Sequence, residues 1–417
     1  MTTVRSSARA GSRDRAGAVL AFKRTGRRIG ARSIEGRVGS NLMVVEDGDA
    51  DGSASGTAVA SNVSIGGNSD PKIETPAVNM VAATNPSEAP ETENASTTEG
   101  LVEEDAVLDL TSSQLHTLKD TDLPATLVEL DLTANRLTEL DERIGHMTRL
   151  KKLSLRQNLL EDSAIEDLNK WPAIQGLEEL VVRDNRLARI PVVSPLKKLV
   201  IFDVSFNKIT SMEGVSKLSP TLREIYLSSN AIPRIEELDH LEELQILELG
   251  FNKVRKMDGL QKLTKLKELW LGRNRITSVN MCGLTSLTRV SVQSNHLTSM
   301  RGFEACVLLE ELYLSHNKIA EMEGLSSLTK LRILDVSSNK LETVKDLENL
   351  KQLEDLWLND NNIPTLEGIE AGLQGVKNSL TVIYLERNPC ARNNPEYTSK
   401  LRKMLPKLVQ IDCQFFD

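Results

Sequence analysis

Residues 244–254 read LQILELGFNKV, and the alternation in the middle of this stretch decides the architecture. Leu247 and Leu249 flank Glu248, so in an extended backbone both leucines point to one face and the glutamate to the other. Asn252 follows where the chain must turn out of the strand and leave backbone groups without ladder partners. Its side-chain amide donates and accepts at once, so it can satisfy them from inside the turn. Left unpaired, each such group would cost about 1–3 kcal/mol.

The same pattern, L-x-x-L-x-L-x-x-N, ends on Asn135, Asn158, Asn185, Asn207, Asn230, Asn252, Asn274, Asn295, Asn317, Asn339, Asn361 and Asn388. Nine of the eleven spacings are 21 to 23 residues, and the two of 27, before Asn185 and Asn388, are expected to hold loop insertions. A degenerate unit precedes them, with Leu108, Leu110 and Leu115 in register and Ser113 in the asparagine place. After each asparagine, apolar residues recur at three-residue spacing, as in Ile209, Met212, Val215 and Leu218, which suits 3-10 or short helical turns. Gly214, Gly259 and Gly324 permit the bend. One unit cannot bury its leucines alone, whereas stacked units close a continuous core. The predicted fold is therefore α/β, a leucine-rich-repeat solenoid. It is a curved horseshoe with a parallel sheet on its concave face and short helical or 3-10 turns on its convex face.

Residues 106–388 form this repeat domain, with about 13 repeats. Residues 389–417 are expected to cap it, through a helical pattern of Tyr397, Leu401, Leu405 and Leu408, interrupted by Pro406, and a short strand at Ile411. Residues 1–105 lack any sustained period and are rich in Ser, Gly, Ala, Thr and Pro. Such a composition cannot offset chain entropy by burial, so a disordered tail is expected. The tail is basic over 1–40 (ten Arg or Lys, two acids) and acidic over 41–105 (thirteen acids, Lys72 alone against them). The first forty residues also have the composition of an organellar transit peptide.

The formal charge of −8 thus leaves only about −4 for everything after residue 105, which argues against nucleic acid as the ligand. With 40% hydrophobic residues, 26% charged residues and no run of 18 apolar residues, the chain reads as soluble and without a membrane span. Cys282, Cys306, Cys390 and Cys413 form no C-x-x-C pair and no terminal knot, and no secretory apolar region opens the chain. A reducing intracellular compartment follows. His116, His146, His240, His296 and His316 occupy unrelated positions, and no nucleotide-binding, metalloprotease or nucleophile-elbow motif occurs. An enzyme, a metal site and a cofactor are not expected.

Function is written in the outward positions instead. Four residues before each asparagine stand Asp131, Ser154, Val181, Asp203, Tyr226, Glu248, Trp270, Ser291, Tyr313, Asp335, Trp357 and Tyr384. This one column holds five of the chain's seven Trp and Tyr residues. A second outward column lies two residues earlier and is rich in acids: Glu129, Lys152, Glu179, Ile201, Glu224, Ile246, Glu268, Arg289, Glu311, Ile333, Asp355 and Val382. Solvated strand faces tolerate acids for propensity alone. Exposed Trp270 and Trp357 are a solubility liability that an interface explains better. Aromatics set among carboxylates on a concave sheet suit a partly basic globular protein partner.

The repeat length, the ordered column, "LYLSHNKI" at 312–319, "LWLNDN" at 356–361, "VIYLERNP" at 382–389 and the ending "LPKLVQID" at 405–412 resemble the protein phosphatase 1 regulatory subunit 7 family over about residues 105–417. The resemblance implies a non-enzymatic regulator that grips the phosphatase catalytic subunit on its concave side and controls its activity, maturation or targeting, notably in mitosis. The family's contact positions match Asp203, Tyr226, Glu248, Trp270, Asp335, Asp355, Trp357 and Tyr384. Tyr226 and Trp270 stand where the family has phenylalanine, and Asp355 where it has glutamate. Tyr313 joins them from the column itself. The resemblance admits a further inhibitory subunit in the complex, a monomer when unbound, and a nuclear and cytoplasmic location. Lys198 to Phe202 formally match the basic-Val-x-Phe motif that docks onto this phosphatase, but Phe202 takes an inward position and reads as core. The competing reading is a scaffold of another kind, ciliary, cytoskeletal or spliceosomal.

Overall fold

The computed structural model describes residues 106–281, 283–392 and 394–416. The tail expected over 1–105, its transit-peptide reading and Cys282 lie outside them. Thirteen strands of three residues each follow one another: β1 Val107–Asp109, β2 Glu129–Asp131, β3 Lys152–Ser154, β4 Glu179–Val181, β5 Ile201–Asp203, β6 Glu224–Tyr226, β7 Ile246–Glu248, β8 Glu268–Trp270, β9 Arg289–Ser291, β10 Glu311–Tyr313, β11 Ile333–Asp335, β12 Asp355–Trp357 and β13 Val382–Tyr384. They pair in parallel and in sequence order within one 15-stranded sheet. The central residue of each strand from β2 onward and the residue just after it, such as Leu247 and Leu249, are fully buried, and together they form one core from Leu118 to Ile411. Burying each such leucine is worth about 1.5–3 kcal/mol.

The asparagines do what the turn demands. Asn252 Oδ1 accepts from Ile232 N at 2.9 Å, while its Nδ2 donates to Leu227 O at 3.0 Å in the preceding unit and to Leu249 O at 3.1 Å in its own. The same three-way bond recurs at Asn158 and Asn361, so each asparagine staples two neighbouring repeats. The residue before each asparagine takes a left-handed φ, as at Asp184, Phe206 and Phe251.

On the outer arc, Gly214, Gly259 and Gly324 adopt positive φ at the bends assigned to them. At Gly259 a Cβ would meet Ile235 O at 2.9 Å. Most central repeats turn there by isolated backbone bonds three residues long, such as Leu263 N to Leu260 O and Leu266 N to Leu263 O, both 3.0 Å. The two longer spacings were expected to hold loops, and they hold helices instead. One contains α1 Asp162–Ile165 with 3-10 segments Glu166–Lys170 and Pro172–Gly176, the other α2 Glu367–Leu373. Ala164, Ile165, Leu168 and Ile174, and Ile369 and Leu373, are buried. The extra residues therefore carry their own apolar face, and helix is the way to bury it.

At the C-terminal end, α3 Tyr397–Met404 is followed by β14 Gln410–Ile411, parallel to β13, and β15 Gln414–Phe415, antiparallel to β14. Tyr397 Oη donates to Asp412 Oδ2 at 2.8 Å, and Asp412 Oδ1 accepts from Leu385 N at 2.7 Å and Glu386 N at 2.9 Å. Asp412 thus supplies to the last repeat the acceptor that the carbonyl at the end of the next strand supplies elsewhere, as Trp270 O does for Leu249 N at 2.8 Å.

Candidate partner-binding face

Parallel register sets the outward residues of successive strands side by side: Trp270 opposes Ser291, which opposes Tyr313, which opposes Asp335, which opposes Trp357. From β5 to β12 two strand types alternate. β6, β8, β10 and β12 begin with an acid and end with an aromatic, Glu224/Tyr226, Glu268/Trp270, Glu311/Tyr313 and Asp355/Trp357. The strands between them end with an oxygen-bearing side chain, Asp203, Glu248, Ser291 and Asp335, and begin with isoleucine, except that β9 begins with Arg289. This two-repeat period is visible in the sequence once both columns are read together, and reading them separately hides it.

Within the acid-aromatic strands the acid holds the aromatic's polar tip. Tyr226 Oη donates to Glu224 Oε2 at 2.6 Å, Trp270 Nε1 to Glu268 Oε2 at 3.2 Å, and Tyr313 Oη to Glu311 Oε2 at 2.9 Å. The rings of Trp270 and Tyr313 stack, with centroids 6.4 Å apart and planes 22° from parallel. Two strands away in a flat sheet would be roughly 9.5 Å, so the rings lean over Ser291, which is 2% exposed. Burial first, then the charge of Glu311, pushes the Tyr313 hydroxyl well above its ordinary range, which keeps it a donor.

β12 differs. Trp357 Nε1 is buried and finds no acceptor among the described residues. Burial, reinforced by the neighbouring charge of Glu354, pushes the Asp355 carboxyl up to about 6. The Trp357 ring meets Tyr384 edge-on at 5.4 Å, and Tyr384 Oη accepts from Gln410 Nε2 at 2.6 Å, which ties the end of the face to the cap.

The column points outward along the sheet, but its members differ in exposure. The five aromatics and Glu248 are only half-buried, but Asp203 and Asp335 are 3% and 4% exposed. Both point outward, yet the larger residues beside them cover them. Asp203 Oδ1 accepts from Ser205 N at 2.9 Å, and Asp335 Oδ1 accepts from Ser337 N at 3.0 Å and Ser337 Oγ at 2.6 Å. Burial raises the Asp335 carboxyl against the lowering effect of those bonds. These two aspartates shape the turns under the aromatics more than they offer open carboxylates. Phe202 is fully buried, as its inward position requires. Sequence reading passed over Phe206 and Phe251, which stand 44% and 57% exposed on the rim where the strands end. The Arg183 guanidinium lies 4.4 Å above the first ring and that of Arg273 5.9 Å above the second. Their signal was an aromatic at the residue before the asparagine, a position that core packing does not use.

Among the described residues no cluster of His, Cys, Asp and Glu could hold a metal ion, and no helix is long and apolar enough to cross a membrane. The family model described as Leucine Rich repeats (2 copies) matches residues 307–352. The Protein phosphatase 1 regulatory inhibitor subunit PPP1R7 homolog of Arabidopsis thaliana is 58% identical over 310 residues, 74% of this chain and 94% of that protein. A leucine-rich-repeat protein of Leptospira interrogans superposes with a TM-score of 0.56 at 28% identity, covering 70% of this chain and 81% of that one. The functional domain of InlJ from Listeria monocytogenes superposes with a TM-score of 0.57 at 21% identity, over 74% and 62%, a likeness of fold alone.

Proposed function

The chain belongs to the protein phosphatase 1 regulatory subunit 7 family and is a regulatory leucine-rich-repeat protein, not an enzyme; from that premise we propose that it binds the phosphatase catalytic subunit on its concave face. Binding controls the activity, maturation or targeting of that subunit. The contact surface is the arc from β5 to β13, carried by Tyr226, Glu248, Trp270, Tyr313, Asp355, Trp357 and Tyr384, with Asp203 and Asp335 beneath. The supporting observation is the alternation of aromatics, their tips held by acids on three of the four strands, along one side of a sheet whose other side is core. Rigid, half-exposed aromatics are the side chains that dominate protein interfaces. A nuclear and cytoplasmic location and a further inhibitory subunit in the complex belong to the same reading.

The test uses the full-length protein and the purified catalytic subunit. Trp270→Ala and Trp357→Ala should each weaken binding by about 2 kcal/mol, roughly 30-fold, in titration calorimetry. Unchanged affinity in both variants sinks the proposal, and so does a hydrogen-exchange footprint confined to β2, β3 and β4.

A further inference from the structure

Arg289 is the one break in the two-repeat alternation: it stands where the pattern has Ile201, Ile246 and Ile333. Its position is outward, so the core does not require it, and the isoleucines show that an aliphatic side chain serves the strand. What the arginine adds is a fork across three strands. Its Nη1 donates to Glu268 Oε1 on β8 at 2.7 Å, and its Nε and Nη2 to Glu311 Oε2 and Oε1 on β10 at 2.7 and 3.2 Å. These are the two glutamates that hold Trp270 and Tyr313. The contacts close into a loop, from Arg289 through Glu268 to Trp270, across the ring stack to Tyr313, and back through Glu311.

The loop answers two physical demands. Glutamates two strands apart on one face repel, and a glutamate free to swing holds no indole or phenol in place; a bidentate guanidinium cures both. Lys152, the other basic residue of these two columns, pairs with Glu129 at 2.7 Å through a single ammonium, not a planar fork. We propose that Arg289 is a positioning residue of the partner-binding face, fixing Trp270 and Tyr313 as one preorganised aromatic shelf. It also offsets one of the two carboxylate charges there, so the shelf carries less negative charge per ring than the Tyr226 or Trp357 strand and takes the more apolar part of the partner's contact surface. This inference rests on the phosphatase-binding reading, and the experiment separates the two.

Full-length wild type, Arg289→Met, Arg289→Lys and the control Lys265→Met, which loses only an exposed pair with Glu243, are compared in two measurements. The first needs no partner: the indole N–H resonance of Trp270, assigned among the three tryptophans by Trp→Phe variants. It should shift in Arg289→Met and stay in Lys265→Met, with the Trp357 and Trp171 signals unmoved. The second is affinity for the phosphatase catalytic subunit, which should fall roughly tenfold in Arg289→Met. Arg289→Lys, which keeps charge but cannot bridge both glutamates, should recover less than half of that loss on a logarithmic scale. Full recovery by lysine, or an unmoved Trp270 resonance, overturns the positioning role. Wild type and Arg289→Met binding equally well overturns it too. If wild type fails to bind the phosphatase at all, the functional reading falls, and the resonance alone decides the positioning role.

Discussion

The carboxylate of Asp355 and the indole nitrogen of Trp357 stand two residues apart on one strand and do not bond, although the same pair of positions is bonded on β6, β8 and β10. The three bonded acids are glutamates. The aspartate is one methylene shorter, and its indole partner is left buried without an acceptor.

Asp355→Glu should therefore give Trp357 the acceptor its sister strands have. A newly satisfied buried donor is worth about 1 kcal/mol, and the gain should appear as a higher urea midpoint with an unchanged slope. An unchanged or lower midpoint would mean that the extra methylene is not the reason the bond is missing.

The Asp355 carboxyl also makes stability depend on pH. Its folded pKa, about 6, lies above its ordinary value of 3.8, so the folded chain binds this proton more tightly than the unfolded chain does. Asp355 then favours folding most below pH ~4, and its contribution declines as pH rises through about 6. Measured by urea denaturation, wild type should lose stability relative to Asp355→Asn between pH 4 and pH 7. Parallel pH profiles would contradict the assignment.

Asn252→Ala removes one acceptor and three donor contacts from backbone groups in two repeats. With about 1–3 kcal/mol for each group left unpaired, a loss of 3 kcal/mol or more is expected. Because each repeat touches only its neighbours, hydrogen exchange should rise first around β6, β7 and β8. A uniform rise along the chain would show that the asparagine is not a local staple.

Tyr397→Phe deletes the bond to Asp412 Oδ2 and leaves the half-buried ring in place against the core. The expected loss is about 1 kcal/mol, concentrated in the cap: amides of Leu385 and Glu386, which donate to the same aspartate, should exchange faster while those of β5 to β8 do not. Equal exchange at Leu385 would remove the cap role from Tyr397.

Most of the fold was legible because its determinants are local and periodic. Leu247, Leu249 and Asn252 state the strand, the core and the turn within six residues, and the next repeat restates them. The helices of the two long units were not legible, because their apolar residues look like a loop until there is a core for Ile165 and Ile174 to join. The outward column was legible as a list and not as a surface. Whether Asp335 faces solvent depends on what Tyr313 and Trp357 do across the sheet, and no spacing along the chain records that. The bridge made by Arg289 was hidden for the same reason, since its partners lie 21 and 22 residues away.

The alternation of aromatic and oxygen-bearing side chains along the sheet has the character of a toothed rack. A partner fitted to it meets a ring on every second strand from Tyr226 to Trp357. Sliding by one repeat, the easiest error on a surface built from near-identical units, puts every ring-seeking contact over Glu248, Ser291 or Asp335. Sliding by two restores the phase but runs off the rack, onto Tyr384 and the cap at one end or the ring-free strands β2 to β4 at the other. On the proposed contact surface, a molecule assembled by repetition thereby offers a single docking address.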